Sequence, residues 1–446
     1  MRQSKLTTTL LALDSLSIYR GLLEDKVLSK LRALLIDLDK ANVQLREMIN
    51  LYNDFYFELA KSNSLSLTDY IIDKIIFDEN PFTLKIQALL NGSSDDALEK
   101  TVANDLRGLQ QVAKLDSTLL KAEITELFKN QCFNPILEGL PDWTLESLIL
   151  SSPNHINHLQ EKFLTSNRWD ECLEDLKNFH KRYGCGIYAR YSAFVWERAD
   201  GHGYLKGIDN PDPITLDELV DYQNERSRVI ENTLQFLNGF PANNVLLYGD
   251  RGTGKSSTVK AILNEYHTQG LRMLEVPKAH LADFPLIIRQ LKNRAQKFII
   301  FVDDLVFGDN EENYTSLKAV LEGGLESKTP NILIYATSNR RHLVKEYFGE
   351  RAGLQSGNHS EEVHARDSMQ EKLSLADRFG INVVFSSPDQ NQYLKIVAGI
   401  AARRNLKIDK DRLQREALQW ALWYNGRSAR TARQFIDWIE GHDAMN

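Results

Sequence analysis

The sequence predicts an α/β protein: a doubly wound parallel sheet, preceded by an all-helical N-terminal region and followed by a small C-terminal helical lid. Three observations predict it. Of 24 glycines only Gly21, Gly92, Gly108 and Gly139 precede residue 180, and no proline precedes Pro81, so the first part lacks the residues that break helices. From about residue 215, short apolar runs alternate with helical segments, the pattern of buried parallel strands covered on both faces. After residue 386 the apolar spacing is helical only.

The elements fall into four stretches: 1–183 helical, 184–214 a β-hairpin and linker, 215–386 the α/β core, and 387–446 the lid. In the first stretch, KVLSKLRALLIDLDKANVQL places Val27, Leu28, Leu31, Leu34, Leu35 and Leu38 at the three-and-four spacing of an amphipathic helix. It carries no catalytic motif, and both a partner-binding module and a supporting bundle fit it. Residues 187–196 (IYARYSAFVW) are rich in aromatic and β-branched types and are followed by Gly201-His202-Gly203, which reads as a hairpin. A loop with Pro211 and Pro213 leads to a helix from about Leu216. Five strands then follow: NVLLY, LRMLEV, KFIIFV, NILIYA and INVVF, with helices at 255–266, 286–294 and 314–325 between them and one at 388–404 after the last. Ser387-Pro388-Asp389-Gln390 reads as a capping box opening the lid.

The 446 residues carry 54 Lys plus Arg against 61 Asp plus Glu, a net charge of -7 that excludes a global positive field gathering nucleic acid or anionic lipid. The apolar run after Leu10 stops at Asp14, too short for an export signal, and no stretch reaches the roughly 18 apolar residues of a membrane span. A cytoplasmic location without membrane association is expected. Cys132, Cys172 and Cys185 show no CxxC spacing and read as buried reduced thiols.

Gly249-Asp250-Arg251-Gly252-Thr253-Gly254-Lys255-Ser256 matches G-x-x-x-x-G-K-[ST] between a strand and a helix, the context of a phosphate-binding loop. Its backbone N–H groups and the helix N-terminus would face the phosphates, with Ser257 in the same turn. Lys255 would reach the β/γ-phosphates and Ser256 would hold Mg²⁺. The strand KFIIFV ends in Asp303 and Asp304. At the C-terminal edge of a parallel sheet Asp303 can reach the same Mg²⁺ and Asp304 can polarise an attacking water. Taken alone, Asp304 could instead cap the next helix. Asn339, ending another strand, can orient that water or serve as a turn residue. The chain order leaves one strand between the phosphate-loop strand and the acidic strand.

With these motifs in hand, the segment from Thr215 resembles an AAA+ P-loop ATPase module. Residues 216–222 (LDELVDY) are similar to the segment L-x-x-L-[VI]-G that lies over the adenine, with Asp221 in place of the glycine and Tyr222 beside it. More closely, FPANNVLLYGDRGTGKSS, FVDDLVF, LKAVLEGGLE, YATSNRRHL and LSLADRFG resemble the bacterial ATP-binding family known as domain of unknown function 815, over about half of the chain. The resemblance implies ATP and Mg²⁺ and no particular pathway. It implies that Arg378, in the box ending LSLADRFG, is an arginine finger reaching the γ-phosphate of a neighbouring subunit, hence a homo-oligomer; a salt bridge is the other reading. It also implies that Arg430 of Gly426-Arg427-Ser428-Ala429-Arg430 contacts nucleotide from the lid, with Arg427 and Arg433 as alternatives. Asp304 stands where this superfamily more often has glutamate, so slow turnover is expected.

Two further features are read as structural. His359, Glu361, Glu362, His364 and Asp367 have no zinc spacing and mark a loop. Trp420, Trp423 and Trp438, interleaved with Arg412, Arg415, Arg427, Arg430 and Arg433, read as core tryptophans beside a solvated basic face. The expected function is ATP hydrolysis coupled to assembly and to remodelling or loading of a macromolecular partner, with a protein favoured over nucleic acid. A nucleotide-gated binding module with slow hydrolysis, and a DNA-associated ATPase resembling initiators or helicase loaders, are the alternatives. Adenine is expected because no guanine-reading N-K-x-D follows the core strands.

Overall fold

Two units divide the chain, Met1–Arg190 and Tyr191–Asn446. A computed structural model describes residues 5–40, 43–62, 66–88, 96–129, 134–144, 154–305, 316–318, 320–321, 329–339, 376, 378–424 and 426–445. Among them no helix is long and apolar enough to cross a membrane.

The first unit is helical. Asp25 caps the helix Lys26–Leu38 by accepting from the Val27 and Leu28 N–H groups, and Val27, Leu28, Leu31, Leu34 and Leu35 enter the core as the spacing predicts. The buried Asp105 carboxylate accepts the N–H groups of Ser17, Ile18 and Tyr19, which satisfies the start of the 3₁₀ turn Tyr19–Glu24. Cys172 and Cys185 are buried and outside any disulfide; Cys132 lies outside the described residues.

In the second unit a seven-stranded sheet forms from β1 (Ala193–Ala199), β2 (His202–Gly207), β3 (Val245–Gly249), β4 (Leu271–Glu275), β5 (Lys297–Val302), β6 (Ile332–Ser338) and β7 (Ile381–Phe385), in the order β2-β1-β4-β5-β6-β3-β7. Only the β1/β2 pair is antiparallel. Every residue of β6 is buried, as expected of a central strand covered on both faces. Because β6 lies between β5 and β3 in register, the ends of all three strands emerge at one edge. That edge is where a doubly wound sheet builds its site. Val229 and Phe236 of the helix Gln223–Leu237, and Val259, Ile262 and Leu263 of the helix Lys255–Tyr266, join the core cluster that contains the strand residues.

The sequence reading differs from the structure at four places. Residues Gly186–Arg190 form a helical turn, and the hairpin begins only at Ala193. Its first strand also pairs with β4, so the hairpin is the sheet's edge. Gly203 fixes the alignment, since a Cβ there would fall 2.1 Å from the buried Trp196 ring. The helix expected from Leu216 starts at Gln223, because Asp221 and Tyr222 take left-handed φ of 65° and 56° that no α-helix can propagate. The lid's capping box is real but belongs to Asp389 and Gln392, which open the first lid helix, Gln390–Arg403. Ser387 instead donates its N–H to Asp250 of the phosphate loop at 2.8 Å. Finally, Trp423 and Trp438 are not core residues: they are 68% and 43% exposed on the second and third lid helices, Lys410–Trp423 and Ala429–Met445.

Candidate nucleotide-binding site

The loop between β3 and the helix Lys255–Tyr266 can form only with its glycines. Gly249 has φ 131°, and a Cβ there would sit 2.2 Å from the Phe385 carbonyl oxygen on β7. Gly252 has φ 75°, and its Cβ would press on Ser428 and Arg430 at the start of the third lid helix. The lid therefore reaches the loop directly: the Arg430 N–H donates to the Gly252 carbonyl at 3.0 Å.

Lys255 points back under the loop. Its ammonium donates to the carbonyls of Gly249 (3.0 Å) and Asp250 (2.6 Å) and to Asn339 Oδ1 (3.2 Å). The Asn339 amide nitrogen donates to Asp304 Oδ1 at 2.6 Å, and Lys278 donates to Asp304 Oδ2 at 3.0 Å. On the other side Ser256 Oγ donates to Asp303 Oδ1 at 2.6 Å. Thr337 joins the two acids, donating its hydroxyl to Asp303 Oδ1 at 2.5 Å and accepting the Asp304 N–H at 2.8 Å. Asp304 has a left-handed φ of 52°, a strained geometry held by that bond and by the Leu305 N–H to Thr337 carbonyl bond.

These groups open on a cavity of about 770 Å³, within the range of small-molecule sites. Arg251, Gly252, Thr253, Gly254, Lys255, Ser256 and Ser257 line one end with Asp303, Asp304, Thr337 and Asn339. Glu218, Leu219, Val220 and Arg226 line it with Ile396 and Ile400 of the first lid helix, while Arg430, Arg433 and Gln434 close it from the third.

The profile of a family described as "Protein of unknown function (DUF815)" matches residues 189–443. The chain belongs to this family. Among curated proteins, the DUF815 chain is 27% identical over 222 residues to a 26S proteasome regulatory subunit homolog of Methanocaldococcus jannaschii, covering 44% of this chain and 58% of that protein. It is 37% identical over 70 residues to the 26S proteasome regulatory subunit 4 homolog of Schizosaccharomyces pombe, covering 15% of this chain and 16% of that one. The chain thus spans less than two thirds of either relative. Among solved structures, the RuvB Holliday junction branch migration motor of Thermotoga maritima aligns at 13% identity with a TM-score of 0.30, over 50% of this chain and 72% of its own. Phosphate loop, parallel core and helical lid give the DUF815 chain the AAA+ P-loop architecture.

Most residues singled out from the DUF815 sequence meet in this cavity. Asp250 ties the loop to the start of the lid through its carboxylate, which accepts the Ser387 N–H, and to β7 through its own N–H, which donates to the Phe385 carbonyl. Arg430 and Arg433 line the wall, whereas Arg427 donates to Gln390 at 3.1 Å. Tyr222, expected over the adenine, is a correction. It does not line the cavity, because its ring packs on Phe385 at 5.3 Å and its hydroxyl donates to the Ser386 carbonyl at 2.6 Å. Asp221, in the glycine position, still adopts the left-handed backbone. Arg378 lies half-buried in the turn before β7 and is not among the cavity's lining residues. Asp377 and the stretch 349–370, with its histidines, lie outside the described residues.

Sequence reading missed Thr337, Lys278, Arg226 and the lid's apolar contribution of Ile396 and Ile400, whereas Leu219 and Val220 belong to the segment 216–222 expected over the adenine. Thr337 had a visible signal, sitting two residues before Asn339 at the same strand end. Lys278 had none, since only the fold brings the turn Lys278–Asp283 to the end of β5.

Burial pushes the Lys255 ammonium down to about 8, against the pull of Asp250, Asp303 and Asp304. Phosphates bound beside it would raise it again. Nucleotide binding should therefore take up a proton above pH 8, and affinity should be flat below about pH 8 and fall as pH rises beyond it. Calorimetric titrations in two buffers of different ionisation enthalpy read that uptake directly. The half-exposed pair between Lys278 and Asp304 is screened by solvent, so Lys278→Ala should change turnover modestly. Freeing Asp304 Oδ2 is expected to raise it by about two- to fivefold in a steady-state phosphate-release assay.

Proposed function

We propose that this protein binds ATP with Mg²⁺ and hydrolyses it slowly, as a cytoplasmic homo-oligomer that uses turnover to remodel or load a protein partner. The observation that carries the reading is the chain of contacts from Lys255 through Asn339 to Asp304, beside the Ser256–Asp303 pair, in one lid-covered cavity. The AAA+ architecture and the family match support it.

A hydroxyl and a carboxylate 2.6 Å apart are hard oxygen donors, and no cluster of three metal-binding side chains occurs among the described residues. That set fits Mg²⁺, which takes one or two protein oxygens and completes its shell with phosphate and water. Ser256 and Asp303 would hold the ion, which when bound neutralises charge on the phosphates. The chain's own groups do the rest. The loop N–H groups and Lys255 fix the β/γ-phosphates, and Arg430 and Arg433 face them from the lid. Asp304 Oδ takes the proton of a water that Asn339 orients in line with the γ-phosphorus; the bond to the β-oxygen breaks as the bond to water forms, and Arg378 of a neighbouring subunit offsets the developing charge.

A second reading, a nucleotide-gated binding module, is favoured by one observation: both Asp304 oxygens are occupied, by Asn339 and Lys278. Asp304→Asn separates the two. A motor loses its output on the partner, whereas a gate is held in its ATP-bound, partner-binding state. The DNA-associated reading has less support. Arg412 is spent on Glu416 and Asp443, and Arg430 and Arg433 line the cavity. Salt-dependent retention on DNA at low ionic strength would revive it.

A further inference from the structure

The lining of the cavity contains a cation that the hydrolysis scheme does not use. Arg226, in the first turn of the helix Gln223–Leu237, is 8% exposed and lines the cavity. One guanidinium nitrogen donates to the Leu219 carbonyl at 2.8 Å. Asp221 and Glu225 act on it electrostatically, yet among the described residues no acid lies within ion-pair distance of it. Asp221 is engaged by Lys395 instead. A guanidinium carries five N–H donors and accepts nothing, and a buried one left with a single carbonyl calls for further acceptors.

The surroundings say which acceptors. Leu219 and Val220 on one side and Ile396 and Ile400 on the other form an apolar slot. Gly399 of the first lid helix packs directly on Val220, where a Cβ would stand 2.8 Å from both its methyl carbons, so a ring enters beside that contact, against Leu219, Ile396 and Ile400. Such a slot suits a flat aromatic ring, while the phosphates are held at the loop end. Glu218 also lines the cavity and offers a carboxylate acceptor.

We infer that Arg226 reads the base of the bound nucleotide, donating to a ring nitrogen acceptor of adenine, N1 or N7, on the edge that carries the 6-amino group. Glu218 accepts from that amino group. Arg226 is thus a specificity residue of the site, and the inference rests on the ATP-binding reading above. A cationic donor and a carboxylate acceptor on one cavity lining match adenine's pairing of ring acceptor and amino donor. A cation relieved of burial without a partner makes the contact strong.

The test is equilibrium binding of ATP, 1-deaza-ATP, 7-deaza-ATP and inorganic tripolyphosphate, each with Mg²⁺, to the full chain and to Arg226→Met. Arg226→Met should weaken ATP by about ten- to a hundredfold. Tripolyphosphate should bind unchanged, since it uses the loop alone. The penalty should shrink to within about threefold for whichever deaza analogue lacks the contacted nitrogen. An equal penalty for ATP and both analogues would mean that Arg226 only holds the Leu219 carbonyl, and would overturn the inference; so would no penalty at all. Thermal unfolding identifies a misfolded variant, in which case Arg226→Lys, which retains a cation and donors but not the planar fork, is read by the same comparison. If the unaltered chain binds neither ATP nor tripolyphosphate, the ATP-binding reading itself fails, a result distinct from the others.

Discussion

Replacing Arg378 by alanine is expected to lower ATP turnover of the assembled protein by about 10³ to 10⁵, with ATP binding nearly unchanged. The size follows from where a guanidinium acts: on charge that develops only in the transition state, so the loss appears in kcat and hardly in KM. Arg378 does not line its own chain's cavity, and we propose that it acts on a neighbour's. A mixing experiment turns that into a sharp expectation. Arg378→Ala subunits keep Lys255, and Lys255→Ala subunits keep Arg378; each alone should be inactive. Mixed in one assembly, they should regain turnover, because some sites combine an intact Lys255 with an intact finger. A mixture that assembles and stays inactive, or an Arg378→Ala protein with normal kcat, would contradict a trans-acting arginine.

Lys255→Ala should reduce kcat/KM by about 10² to 10³ and weaken nucleotide binding as well. Lys255 is 6% exposed, and its ammonium is gathered by the Gly249 and Asp250 carbonyls and Asn339. It is the cation at the phosphate end whose removal leaves the loop's shape to the backbone alone, since Gly249 and Gly252 keep their left-handed turns without it. Stability should change little, because burial already opposes the charged form. Isothermal titration with ATP·Mg²⁺ and a thermal unfolding curve separate the two effects. Lys255→Arg tests whether charge alone suffices; the bulkier fork should not restore activity.

Much of this site was legible because its residues lie at the ends of strongly patterned strands. β3, β5 and β6 are short and apolar, and each carries its functional group at its C-terminal end, so the pattern aligned Gly249, Asp303 and Asn339 at one edge. What stayed hidden depends on contacts between segments distant in sequence. Lys278 meets Asp304 only because β4 lies beside β5. Arg226 and Ile396 share a wall only because the lid folds over the core. Tyr222 failed as a base contact for a local reason: two consecutive left-handed residues turn its ring inward onto Phe385. The lid tryptophans misled because helical spacing does not say whether a covering element exists. Trp420 packs on Tyr424 and Trp438, and Trp438 stacks on His442, so the cluster is aromatic without being interior.

ATP turnover per subunit, measured across a hundredfold range of protein concentration with Lys255→Ala as the blank, tests the central claim most directly. Hydrolysis at an interface completed by Arg378 predicts Mg²⁺-dependent turnover above the blank that rises steeply with concentration and then levels off. Turnover indistinguishable from Lys255→Ala at every concentration would contradict it.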